Sequence, residues 1–315
     1  MFSFSNFKLF LSCFLLVQLC HSQDRNINFE LNKIELTNMP YFKSLIDIDS
    51  TNINQITYKQ SYTYIKDIDF YNLSYKSYDS LNIEGFIIRP KEKGTYPVLI
   101  YNRGGNSSYG ETKLNFIINF LGKISQKGYV IITSNLRGTN KENGNDEFGG
   151  KDVVDALDIL QIIDQLPYVD KDRIGLLGWS RGVMTNFLML KKTNRIKTNI
   201  SIAGQASLEL THRDEMFEVY KKRIPNFEVD RENLLKQRSS LIAIDSLRNK
   251  STTHFIIHGN SDSKVLVENA FLLYNKLLLN KQIVRLFIYE NEEHGLKNVW
   301  ENLILNINEW LKVHL

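Results

Sequence analysis

Apolar residues follow two rhythms along this chain. Residues 67–75 and 81–89 alternate apolar and polar positions around a Ser-Tyr-Asp-Ser turn, as antiparallel strands with one covered face do, and Pro90 ends the second. Past Pro90 come short continuous apolar runs at 96–101, 130–134, 173–178, 198–203, 254–258 and 283–289, the composition of strands buried on both faces. Between them, residues 112–126, 153–166, 181–192 and 265–279 carry helical spacing, and an amphipathic helix is expected over 298–313. Asp152, with Asp155 three residues on, predicts an N-terminal cap for the 153–166 helix.

Strands alternating with crossover helices predict a mostly parallel sheet with helices on both faces. Such sheets place their sites at the carboxyl ends of the strands. The stretch 205–250 breaks the alternation; it is helical and strongly charged, and helices over that active-site edge are expected from it. Residues 23–64 show no clear period and read as an extension lying along a domain that runs from 65 to 315. Tyr58, Tyr62, Tyr64, Tyr71, Tyr75 and Tyr78 suit a carbohydrate platform, but aromatic residues are ordinary in strands, and packing is the expectation.

With 315 residues and 43% hydrophobic composition, the chain can bury a sizeable single core. Its net charge of +4 is spread along the sequence without a Lys/Arg block, so nucleic acid is not an expected partner. Lys8, the apolar run 9–19 and the small residues of Cys20-His21-Ser22 form a signal-peptide pattern, which makes residues 1–22 a leader and Gln23 the first mature residue. A secreted or periplasmic protein follows, with no stable membrane insertion after cleavage, since the run is shorter than the ~20 residues of a spanning helix. Leu19 stands where a lipoprotein anchor at Cys20 needs a small residue, which argues against that anchor. Both cysteines, Cys13 and Cys20, lie in the leader, so the mature chain is expected to hold no disulfide or thiolate.

The sharpest chemical signal is Gly178-Trp179-Ser180-Arg181-Gly182, between an apolar run and a helical pattern. This is the G-x-S-x-G nucleophile elbow in its required context: a strained serine projects its hydroxyl, and glycines two residues either side let strand and helix approach. The helix start offers the Arg181 amide to a developing oxyanion. A serine needs a base, and His is the usual one near neutral pH. Of six histidines, His294 lies in a loop after the last apolar run, and Asp262 lies in a loop after the run before it. The order Ser180, Asp262, His294 is the triad order of the α/β-hydrolase fold. His254, His258 and Asp262 are spaced four apart, but on a strand and without a helical H-E-x-x-H, so no metal site is expected; His258 reads as a buried residue supporting the Asp262 loop. The Asn/Gly/Asp-rich stretch 140–150 lacks EF-hand spacing and reads as a plain loop.

Segments 97–106, 135–138, 147–153, 170–175, the elbow, 258–262 and the His294 loop together resemble the catalytic domain of the prolyl oligopeptidase family, which includes dipeptidyl peptidases and acylaminoacyl peptidases. The resemblance covers about residues 65–311 and implies cofactor-free acyl transfer through a serine acyl-enzyme, with peptides as substrates. Larger members carry an N-terminal β-propeller; residues 23–64 are too few for one, so none is expected. In the oligopeptidases a Tyr hydroxyl after the early strand helps bind the oxyanion, and Arg103 stands at the matching position. The second donor is then a backbone amide near Gly104, the Arg103 guanidinium or the Tyr101 hydroxyl. A peptidase acting on short peptides is the expected function, a carboxylesterase on the same triad is the alternative, and a silent hydrolase-fold binding protein is the reading from another class. Nothing in the sequence sets the oligomeric state.

Overall fold

In a computed structural model of the chain, the structure describes residues 26–48, 56–140 and 143–315. The proposed leader, with Cys13 and Cys20, lies outside the described residues. In chain order the strands are β1 (Phe29–Lys33), β2 (Ile46–Ile48), β3 (Ile56–Tyr58), β4 (Ile68–Lys76), β5 (Asn82–Pro90), β6 (Tyr96–Asn102), β7 (Val130–Ser134), β8 (Val169–Trp179), β9 (Ile196–Ile202), β10 (Thr253–Gly259) and β11 (Val284–Tyr289). Nine of them form one sheet in the order β1-β4-β5-β7-β6-β8-β9-β10-β11, while β2 and β3 pair separately. The block from β7 to β11 is parallel throughout, and β1, β4 and β5 are antiparallel to their neighbours. This is the α/β-hydrolase architecture that the alternation predicts.

The apolar runs inside the sheet are double-sided because each face has its own helical layer, whereas β11, at the edge, alternates half-buried and exposed positions instead of burying both faces. On β6, Val98 and Ile100 join the core under helices Asp152–Ile163, Arg181–Leu190 and Glu268–Leu279. Leu99 and Tyr101 face the opposite way, toward residues 114–125 and helix Trp300–His314. A π turn at Ile117–Leu121 brings Ile117, Ile118, Phe120 and Leu121 all into the core.

Two expectations change. Among the described residues of 23–64 there is more order than the composition suggests: β1 is an edge strand in register with β4, Leu31 opposite Leu73. As expected, the 205–250 stretch is helical, with helices Glu215–Arg223, Arg231–Gln237 and Ser240–Ile244; Tyr220, Leu235 and Ala243 on them, with Ile224, extend the core of the elbow-helix layer. Asp152 and Asp155 do not cap their helix. Asp152 turns back to the N–H groups of Gly149 and Gly150 and to Arg181, and Asp155 takes the Arg137 guanidinium, since charge-assisted partners outcompete a lone helix N–H. Tyr75 packs as expected, 1% exposed, its hydroxyl paired with Ser134 and donating to the Asp155 carbonyl.

Candidate active site

Strand β8 delivers Ser180 to a sharp turn before helix Arg181–Leu190, with φ 56° and ψ −120°. A non-glycine residue there is strained, and the strain is held by the surroundings. The Ser180 N–H donates to the Ile202 carbonyl at 2.8 Å, and the Ser180 carbonyl accepts from Val183 at 3.0 Å. The flanking glycines are obligatory: a Cβ on Gly182 would lie 1.9 Å from the Asn102 carbonyl oxygen, and one on Gly178 would lie 2.6 Å from Gly182. The loop after β6 comes equally close to the hydroxyl, since a Cβ on Gly104 would sit 3.0 Å from Ser180 Cβ and 3.6 Å from its Oγ.

Two loops further along the sheet meet each other. The Asp262 loop follows β10 and the His294 loop follows β11, and Gly259 lets them touch, a Cβ there falling 2.1 Å from the Glu292 carbonyl oxygen. Ser261 N–H donates to that same carbonyl at 3.1 Å, and Asn291 N–H donates to Asn260 Oδ1 at 2.7 Å. The result brings His294 Nδ1 2.8 Å from Asp262 Oδ2, while Asp262 Oδ1 accepts the N–H groups of Lys264 and Val265, each at 2.9 Å. Burial pushes the Asp262 carboxyl up, but the hydrogen bonds from His258 and His294 overcome it and hold the group well below the ordinary carboxylate range. It is an ionised acceptor, 3% exposed.

Trp179 connects the two halves. Its indole N–H donates to the His294 carbonyl at 3.0 Å, so the residue before Ser180 grips the His294 loop. Beneath it, Phe116 and Phe120 pack on both Trp179 and Trp300, at centroid distances of 5.3 to 6.2 Å. Trp300 Nε1–H in turn donates to Gly295 at 2.9 Å.

The Arg103 guanidinium is engaged within its own loop: Nε donates to Asn135, NH1 to Gly104 and Tyr109, and NH2 to Ser107 and the Thr139 hydroxyl. All five N–H donors are engaged. Burial without a directly bonded carboxylate pulls the pKa down to about 10, so the group stays charged and serves as a strut for the loop carrying Gly104. Tyr101 lies 5% exposed against Phe116, on the face of β6 turned toward the helix Trp300–His314 layer. Arg181 sends its side chain away from Ser180 into a buried pair of carboxylates, Asp146 and Asp152, each at 2.6 Å. Burial would raise Asp146, and Arg181 together with the Ser107 and Phe148 N–H groups holds it below its ordinary value.

The other histidines on β10 have separate settings. His254 stacks on Phe187 at 5.8 Å with Asn199 beside its Nδ1, and His258 reaches Val265 and Asp262. Among the described residues no cluster of three His, Cys, Asp or Glu is placed to hold a metal ion. In the 140–150 loop, Asn140 and Asn143 bond each other and Asp146 belongs to Arg181. The Arg181 network and the Trp179 clamp were not found from sequence; the local signal for the clamp is a Trp inside the elbow, whose N–H needs an acceptor when buried.

A parallel sheet with a serine elbow at one strand end and a His–Asp pair on two later loops defines a hydrolase of the α/β type, and the comparisons narrow it. The chain belongs to the prolyl oligopeptidase family, a family of serine peptidases, whose sequence model matches residues 114–315. It is 26% identical over 250 residues to the uncharacterized peptidase YtmA of Bacillus subtilis, spanning 78% of this chain and 94% of that one. It is 25% identical to the probable dipeptidyl-aminopeptidase B of Arthroderma gypseum, where the match covers 74% of this chain but only 27% of the relative. Among solved structures, dipeptidyl peptidase 4 of Porphyromonas gingivalis superposes with a TM-score of 0.63 at 24% identity, over 78% of this chain and 36% of that one. An acetyl xylan esterase from Paenibacillus sp. R4 superposes with a TM-score of 0.65 at 14% identity, over 92% and 90% of the two chains. At these identities the two superpositions establish the fold alone.

Proposed function

We propose that this chain is an exported, cofactor-free serine peptidase that cleaves short peptides through Ser180, His294 and Asp262. The observation that carries the reading is the 2.8 Å contact between His294 Nδ1 and Asp262 Oδ2, on a loop tied to the residue preceding Ser180. With Nδ1–H committed to Asp262, the other ring nitrogen is the free lone pair that takes the Ser180 proton. Ser180 Oγ attacks the scissile carbonyl, and the oxyanion is received by the Arg181 N–H at the helix start and by a main-chain N–H at Gly104 or its neighbour. The closeness of Gly104 to Ser180 Oγ supports that choice over the engaged Arg103 side chain. His294 then passes its proton to the leaving amine, and water releases the acyl group by the same steps in reverse order.

The same machinery hydrolyses esters, so the substrate class is tested by measuring peptide p-nitroanilides and p-nitrophenyl esters side by side. Turnover of the anilides at a kcat/KM comparable to or above that of the esters supports a peptidase; ester turnover alone overturns it in favour of a carboxylesterase. A fluorophosphonate probe is expected to label the parent and not Ser180→Ala. Labelling and parental turnover in Ser180→Ala would remove the nucleophile and the reading with it.

A further inference from the structure

His258 lies on β10, 0% exposed, four residues before Asp262. Its Nε2 is 2.8 Å from the Val265 carbonyl oxygen and 3.2 Å from Asp262 Oδ2. A carbonyl oxygen can only accept, so Nε2 carries the proton. Nδ1 is buried without a partner, and a proton there would be an unpaired buried donor, so Nδ1 holds a lone pair. The ring is therefore held in one orientation, with Nε2–H donating to the loop carbonyl and lying 3.2 Å from the carboxylate.

We propose that His258 is a positioning residue for the reaction, one that fixes the plane and the charge distribution of the Asp262 carboxylate that serves His294. The proposal rests on the reading of Ser180, His294 and Asp262 given above. Asp262 Oδ1 accepts two main-chain N–H groups, while Oδ2 faces His294 Nδ1 at 2.8 Å and His258 Nε2 at 3.2 Å, so four nitrogens surround the roughly four lone-pair sites of one carboxylate. Tying the loop to Val265 alone would not require an N–H also facing Oδ2. That second contact prevents the carboxylate from rotating about its last torsion and moves part of its charge away from His294. Without it, the charge on Oδ2 acts on His294 alone and the carboxylate is free to turn, and small misplacements of catalytic groups cost rate steeply.

The test uses the full chain, with kcat, KM and the pH dependence of kcat/KM on a peptide p-nitroanilide. The other titratable or charged groups on β10 and the elements packed against it are His254, Lys197, Arg285, Tyr289, Glu268, Tyr274 and Lys276, and the adjoining loops add Lys264, Glu292, Glu293 and His212, whose Nε2 is 3.0 Å from the Ser263 carbonyl. All remain in place in every variant. His258→Leu removes the donor and is expected to lower kcat roughly 10- to 100-fold with KM within about twofold, and to move the acid limb of the profile to higher pH. His258→Gln sets an amide N–H at the Nε2 position and is expected to restore most of kcat and the parental limb. Should the Leu variant fail to fold, His258→Asn, whose shorter amide does not reach Oδ2, takes its place with the same expectation. Parental kcat and pH profile in the donorless variant would overturn the proposal, as would a folded His258→Gln no better than it. Ser180→Ala separates the two levels: if it keeps parental turnover, the site reading itself fails; if it is silent while the His258 variants behave as the parent, only this inference falls.

Discussion

The Trp179 indole N–H donates to the His294 carbonyl at 3.0 Å, so one side chain joins the strand that carries the proposed nucleophile to the loop of the proposed base. Trp179→Phe keeps an aromatic ring against Phe116 and Phe120 and removes that one bond. The expected cost is about 1 kcal/mol of stability, the usual worth of one hydrogen bond, with kcat falling roughly 10-fold as the His294 loop loosens. Chemical denaturation and steady-state kinetics on the same preparation check both. A stability loss with unchanged kcat would leave Trp179 a packing residue.

The parts of this fold that could be read from sequence are those where one physical demand acts alone. Strands buried on both faces favour uninterrupted apolar runs, and β6 and β7 show them most clearly, while β9 buries Thr198, Asn199 and Ser201 among its isoleucines. The elbow requires Gly178 and Gly182, because carbonyl and main-chain atoms occupy the space of a Cβ. By contrast β1 is an edge strand with largely exposed side chains, and its pairing depends on β4 rather than on its own pattern. Asp152 looks like a cap locally, yet a guanidinium twenty-nine positions later outbids the helix N–H groups. Arg103 illustrates the same limit: its position matches an oxyanion donor, but whether a guanidinium faces substrate or its own loop depends on carbonyls from residues 104, 107, 109 and 135.

Because Arg103 engages five acceptors, Arg103→Ala is expected to act on stability first. It leaves four carbonyl oxygens short of a charged donor in a buried loop, which costs about 3 kcal/mol or more. Thermal melting should show a Tm lower by several degrees. A variant that melts with the parent but has lost kcat selectively would instead return Arg103 to the reaction.

Asp262→Asn is expected to lower kcat by up to about 10⁴, since an amide in place of the carboxylate accepts the wrong imidazole tautomer as readily as the right one. The carboxyl also carries an acid-dependent share of stability. Its folded pKa is depressed, so the contribution is present above the unfolded value near 3.9 and is lost as the pH falls from there through the folded value. Urea titrations below about pH 4 should therefore converge for Asp262→Asn and the parent.

The proposed export through residues 1–22 predicts a mature protein beginning at or near Gln23. Intact-mass analysis of material recovered outside the cytoplasm reads the new terminus directly. A species that retains Met1 would overturn the leader.

A pH effect of different origin is expected from His254. The ring is fully buried against Phe187, and burial draws its pKa from 6.5 down to about 3, with Gln282 opposing only in part. The folded value lies below the unfolded one, so between those two pH values the unfolded chain binds a proton that the folded chain refuses. Stability from this group is complete above about pH 6.5 and declines as the pH falls, by about 1.4 kcal/mol per pH unit, until the folded value is reached. Between about pH 4 and 6 the acidic side chains with depressed values contribute little. His314 is lowered by burial and by Arg285 and adds a slope of the same sign, so the comparison must be with a variant and not with a flat line. His254→Phe keeps the stack on Phe187, removes the titrating group and leaves Asn199 one acceptor short. It is expected to be less stable than the parent near neutrality, by about 1 to 2 kcal/mol, and to lose less stability on acidification, so that the two stability curves approach or cross before pH 4. Urea unfolding at half-unit pH steps measures this, and curves that remain parallel over that range would mean that His254 takes up its proton in the folded protein.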